Sequence, residues 1–177
     1  ALYSGFARMH EQRTWEAILN TPITLDDIVF SEMVWAASKS LLSGLAVLAV
    51  IWVMGLSHSP LSLWIIPLAF LVGLCFAALG LIMTALAPGY DFFMYYFTLV
   101  ITPMVILCGV FFPVAQLPVW LQSVSAFLPL THAIVLARPL LSNTLPPQFI
   151  LHIAVLVAYA LCGFYVALVV FRRRLSQ

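Results

Sequence analysis

The sequence predicts an all-α membrane protein, a polytopic helical bundle. Three observations predict it. Of 177 residues, 64% are hydrophobic and only 7% charged, against about 25% charged in a soluble domain. No Lys, Arg, Asp or Glu lies between Lys39 and Asp91, between Asp91 and Arg138, or between Arg138 and Arg172. Each of these intervals exceeds the roughly 20 apolar residues that cross a bilayer as a helix. The runs are also continuous and lack the period-two alternation that a barrel strand needs.

The elements follow in order. Residues 5–20 read as an amphipathic helix, with Arg8, Gln12 and Glu16 on one face and Trp15, Ile18 and Leu19 on another. Pro22 ends it, because the residue before a proline is pushed out of the helical region. Thr24–Asp27 has the form of a capping box, so a second helix starts near Leu25, with Asp26, Asp27 and Glu32 in its early turns, where the helix dipole favours acids. The first full span covers 33–56, with Lys39 within snorkelling reach of the interface. SHSP at 57–60 is a turn. The second span covers 61–87 and the third 92–112, the latter kinked by Pro103. Segment 113–147 holds six prolines (Pro113, Pro118, Pro129, Pro139, Pro146 and Pro147) and is too broken for one spanning helix. Two short pieces, 116–127 and 130–141, fit better, dipping into the membrane where other helices cover their backbone. The last span covers 148–171 and runs into Arg172, Arg173 and Arg174.

Four full spans place both ends on one side. Arg8, Arg13, Lys39 and the three terminal arginines fall there, and Arg138 falls opposite. The positive-inside rule makes the shared side cytoplasmic. Ala1 is not an initiator and no signal-peptide pattern opens the chain, so a fragment of a longer protein is expected.

Catalytic chemistry finds no constellation. HExxH, GxSxG, P-loop and CxxC motifs are absent. His10, His58, His132 and His152 are scattered, and Cys75, Cys108 and Cys162 sit apart in apolar runs as small buried hydrophobes. The net charge of +1 carries no basic patch for nucleic acid. Ion-coupled transporters carry ionisable groups at mid-membrane depth, and these spans have almost none, so an energy source is expected on another polypeptide. Neither a catalytic site nor a metal or cofactor site is expected in the chain.

The amphipathic helix then becomes informative. It could lie on the membrane surface, or dock on a cytoplasmic partner. Arg8, Glu11, Arg13 and Glu16 mix both signs, whereas a lipid-seeking helix is rich in Lys and Arg. Trp15 is a natural interface anchor. In the spans, Phe92, Phe93, Tyr96 and Phe97 could line a substrate path or form an interfacial aromatic belt. Phe111, Phe112 and Pro113 could sit at an outer gate or simply pack. Gly73, Ala77 and Gly80 put small residues on one helical face, the pattern of close helix packing.

The stretches FARMHEQRTWEAILNTPITLDDIVFSEMVWAASKS, LGLIMTALAPGYDFF, TLVITPMVILCGVFFPVAQLPVWLQ, FLPLTHAIVLARPLL and the FRRRL tail resemble the ABC-2 family of exporter permeases in order and over essentially the whole chain. Within it, they resemble the lipo-oligosaccharide permeases of nodulation. The resemblance implies six spans, the first two missing here, and a second permease subunit, with a homodimer expected and a heterodimer left open. It also implies a cytoplasmic ABC ATP-binding subunit, which carries the ATP and Mg. It places a coupling helix for that subunit at about 8–20, so that Arg8, Gln12, Arg13, Trp15, Glu16 and Leu19 become candidate coupling residues. Segment 113–147 maps to paired external re-entrant helices. The implied location is the bacterial inner membrane, with membrane lipid and an amphipathic lipo-oligosaccharide or glycolipid as ligands. Drug efflux, a membrane scaffold without transport, and a membrane enzyme are the competing readings.

Overall fold

The computed structural model describes residues 2–8, 15, 20, 22–56, 59–111 and 114–175, and its described residues are helices and turns without strands. Helix α1 is Leu2–Phe6, and a π turn continues it through Ala7 and Arg8. It therefore starts before residue 5. Helix α2, Leu25–Val53, is opened by the expected capping box: Thr24 Oγ1 accepts from the Asp27 N–H, and the Asp27 carboxylate accepts from the Thr24 N–H at 3.0 Å. Gly55, at φ 69°, ends that helix in the left-handed region that a side chain resists. A 3-10 turn, Pro60–Trp64, leads into α3, Ile65–Leu86. Helix α4 runs Asp91–Leu107, followed by α5, Val119–Phe127, α6, Pro129–Leu141, and α7, Phe149–Leu175.

Among the described residues, three helices are long and apolar enough to cross a membrane: Leu25–Val53, Pro60–Leu86 and Phe149–Arg174. The third expected span is shorter than the sequence reading, 17 helical residues where 92–112 was expected. It still joins the two ends of the bundle. Near its start Phe93 meets α1, while beyond its end the Arg138 guanidinium donates to the Gly109 carbonyl at 2.6 Å. The reason for the shortening is the turn at Cys108–Gly109, where Gly109 adopts φ 86°. The kink expected at Pro103 takes the form of a π turn over Phe97–Ile101, in which the Thr102 N–H reaches back to the Phe97 carbonyl. Proline has no N–H for the α-helical ladder, and the wider turn is one accommodation.

The proline-rich segment forms the expected pair of short helices, α5 and α6, bent by 89°. The Tyr159 hydroxyl on α7 donates to the Phe127 carbonyl at that corner. At the same end of the bundle Ser59 donates to the Asn143 side chain at 2.7 Å, and the Trp52 indole donates to Ser62 at 3.0 Å.

Helix α3 is central and packs on both α2 and α7. Small residues allow the approach: a Cβ added at Gly73 would lie 2.7 Å from Ser40 Cβ, and one added at Gly163 would lie 2.9 Å from Ala78 Cβ. Without a hydrophobic drive between helices in lipid, such backbone approach is how dispersion holds a bundle together. Cys75 and Cys108 are buried as expected, but Cys162 is exposed on α7, because it lies on the face of that helix turned away from α3.

Candidate functional site

Most of the described charged residues gather at one end of the bundle, and there the described N-terminal residues contact α2, α3, α4 and α7. On α2, Arg8 donates to the Glu32 carboxylate at 2.5 Å, and Glu32 is 4% exposed. Against α3, Gly5 is buried, and a Cβ there would be 3.6 Å from Thr84 Cγ2. On α4, Phe6 stands edge-on to Phe93 at 5.3 Å between ring centroids, and Tyr3 meets the same ring at 5.2 Å. On α7, Trp15 is 2% exposed and packs on Phe171 with centroids 5.0 Å apart.

The helices are tied to one another at the same level. Arg172 on α7 makes a two-oxygen contact with Asp26 on α2, both at 2.7 Å. Arg174 donates to the Ala85 carbonyl at 2.6 Å, satisfying the C-terminal end of α3, where carbonyls lack helical partners. Lys39 lies farther along α2, and its ammonium sits 5.0 Å from the Trp35 ring one turn toward this end. A helical side chain points back toward its own N-terminus, so this is the snorkelling geometry expected of a lysine inside a span.

These positions correct part of the sequence reading. Trp15 is not an exposed anchor for a partner; it is buried in the core of this chain, beside Ile28, Val29, Met33 and Leu81. Arg8 turns toward α2 and pairs with Glu32, its side chain still 37% exposed. Gln12, Arg13, Glu16 and Leu19 lie outside the described residues. Glu32 was read only as an acid suited to an early helical turn. The signal for more was its spacing, four after Ile28 and three after Val29, which puts it in the buried stripe of α2.

A groove of about 390 Å³ opens between α2, α3 and α4. Tyr96 and Phe97 line it together with Ser40, Gly73, Gly80 and Ile101. Phe93 does not. It is fully buried in the aromatic cluster under α1. Phe111 is exposed at the opposite end, and Phe112 and Pro113 lie outside the described residues. A second groove, about 430 Å³, lies between α2, α3 and α6 and is walled by Gly44, Leu48, Leu68, Ala133 and Ala137 among others.

His132 and His152, scattered in sequence, come together where α6 packs on α7. Their Nδ1 atoms are 2.6 Å apart, and His132 Nε2 lies 3.0 Å from the Ala126 carbonyl. A carbonyl only accepts, so His132 directs an N–H at Nε2 toward it, and in the neutral pair its Nδ1 accepts from the Nδ1–H of His152. Among the described residues, no group of three or more His, Cys, Asp or Glu side chains could hold a metal ion.

A bundle of long apolar helices with a bent helix pair and a segment clasping its charged end defines a membrane-embedded protein. The family model for ABC-2 type transporters matches residues 1–142, and the chain belongs to that family. Among curated proteins it is similar to Nodulation protein J of Rhizobium leguminosarum bv. viciae, 48% identical over 176 residues, which is 99% of this chain and 68% of that relative. Nodulation protein J of Bradyrhizobium diazoefficiens is 45% identical over 99% of this chain and 67% of the relative. That of Sinorhizobium fredii is 45% identical over 98% and 66%. The chain thus spans about two thirds of the length of these relatives. No solved structure matches it.

Proposed function

We propose that the chain is the permease part of an ATP-driven exporter that moves an amphipathic substrate, a lipo-oligosaccharide or related glycolipid, out across the bacterial inner membrane. ATP hydrolysis takes place on a separate cytoplasmic ATP-binding subunit, and a second permease subunit completes the path. Both ends of the chain face the cytoplasm in this reading, with Arg8 and the three terminal arginines on the positive side. The reading is supported by family membership and by the name of the relatives. The single structural observation that carries it is the contact of residues 2–8 and Trp15 with α2, α3, α4 and α7 at once. A partner that moves this segment moves the whole bundle, as alternating access requires. A ligand shifts such an equilibrium only through its different affinity for the two states, so ATP must act through a rigidly joined element.

Substrate recognition is assigned to the groove beside Tyr96 and Phe97, whose rings suit sugar faces and acyl chains. The apolar walls of the second groove favour a hydrophobic drug as the competing cargo. The test uses the full-length permease co-expressed with its P-loop ATPase, in inverted vesicles. ATP-dependent uptake of a labelled lipo-chitooligosaccharide, with ATPase stimulation by the permease, is expected. Uptake without ATP dependence refutes the energy source. Uptake of hydrophobic dyes alone assigns the drug reading instead.

A further inference from the structure

Three of the four contacts of the N-terminal segment are apolar. Gly5 on Thr84, Phe6 on Phe93 and Trp15 on Phe171 exclude water, yet they tolerate sliding, because dispersion and apolar burial have little directionality. The fourth is directional. The Arg8 side chain, 37% exposed, meets through its guanidinium the carboxylate of Glu32, whose side chain is 4% exposed. Among the described residues, the second carboxylate oxygen, Oε2, is buried and has no hydrogen-bond partner. A buried carboxylate held by one donor is stable only while that donor stays, since removal of one partner of a buried pair leaves an uncompensated charge. Loss of register between α1 and α2 is therefore penalised at this point and much less at the other three.

We infer that Glu32 is a positioning residue for energy coupling: through Arg8 it fixes the register of the N-terminal segment on α2, so that displacement of the segment is delivered to the bundle. The inference rests on the proposed exporter function and deepens it by naming the residue through which the movement passes. The location is suited to the task. Glu32 lies between Ile28–Val29 and Met33 in the stripe that faces α3 and α7. Asp26, two turns earlier, ties the same helix to Arg172 of α7. A shift of α2 is thus shared with α7 at once.

The experiment measures export and ATP hydrolysis together, in vesicles holding the full-length permease and its ATPase, for Glu32→Ala, Glu32→Gln, Arg8→Glu, and the exchanged pair Arg8→Glu with Glu32→Arg. Co-purification with the ATPase is followed for each. Expected for Arg8→Glu and Glu32→Ala is a fall of about tenfold or more in substrate exported per ATP hydrolysed, with the ATPase still bound. Glu32→Gln, which keeps the shape and one acceptor, inserts and co-purifies like the wild type but exports less per ATP. The exchanged pair recovers most of the ratio, whereas a merely structural role would lower export and co-purification together and leave the ratio unchanged. An unchanged ratio in Glu32→Gln and Glu32→Ala, or no recovery in an exchanged pair that co-purifies normally, overturns the positioning role and leaves the exporter reading standing. A wild-type complex in which hydrolysis and export are unconnected overturns both.

Discussion

Replacing Gly73 with alanine should push α2 and α3 apart. The new Cβ would lie 2.7 Å from Ser40 Cβ and 3.0 Å from both Ser40 Oγ and Ala37 Cα. Carbon atoms rest at about 3.5–4.0 Å, so relief of the closest contact needs a separation of roughly 0.8 Å. Neither obstacle can rotate away: Ala37 Cα is backbone, and Ser40 Cβ moves only with its helix. The Ser40 hydroxyl is also committed, donating to the Ala69 carbonyl at 3.1 Å. Overpacking of this kind costs about 1–3 kcal/mol, and the gain in helix propensity from Gly to Ala returns at most about 1 kcal/mol. The net expectation is a destabilisation of about 1–2 kcal/mol, or a fall of about 4 °C in the midpoint for a chain of this size. Gly89→Ala is the control, since an added Cβ there meets nothing within 4 Å. The assay is the fraction of detergent-solubilised protein that keeps its native elution profile after heating. A Gly73→Ala midpoint at or above the wild type, or a fall matched by Gly89→Ala, refutes the packing account.

Trp15→Ala removes a buried ring at an expected loss of about 3–5 kcal/mol. Trypsin should then cleave faster after Arg8 and Arg13, and export should fall while the ATPase continues to turn over; unchanged cleavage would mean that Trp15 does not hold the segment down. Tyr159→Phe deletes the hydroxyl bonded to the Phe127 carbonyl, so amide exchange over residues 119–127 should quicken by a factor corresponding to about 1 kcal/mol, and equal exchange rates count against that tie. Pro103→Ala restores an N–H beside the π turn at Phe97–Ile101. A return to the α-helical ladder should re-aim residues beyond it by up to about 100°, read as a changed distance between spin labels at Met94 and Ile106; an unchanged distance shows that proline does not set the turn.

The membrane architecture was legible because its signals are local and long. Charge-free intervals reveal helices without any knowledge of neighbours, and the Thr24–Asp27 box needs only three residues of context. The prolines of 113–147 likewise announced a broken element, observed as α5 and α6. The clasp was not legible in that way. An amphipathic pattern shows that Trp15 has an apolar face, but lipid, a partner and the chain's own Phe171 satisfy it equally. The Arg8–Glu32 and His132–His152 pairs depend on helix packing that brings distant residues into register, and nothing in either local sequence names the other partner. Phe93 carried the same ambiguity: aromatic side chains at a membrane surface look alike in sequence whether they meet lipid, substrate or the underside of α1.

The shortness of α4 has a consequence for the surrounding lipid. Seventeen helical residues rise about 26 Å, against a hydrocarbon layer of about 30 Å. The deficit of about 4 Å is a hydrophobic mismatch, met by thinning of the adjacent leaflets or by protein that covers the helix end, at a fraction of a kcal/mol for each ångström. Met94, Tyr95, Leu99 and Ile106 are exposed along this helix, so the lipid beside it would bear that distortion. A hydrophilic headgroup travelling along α4 would meet a thinner barrier there than beside the longer helices.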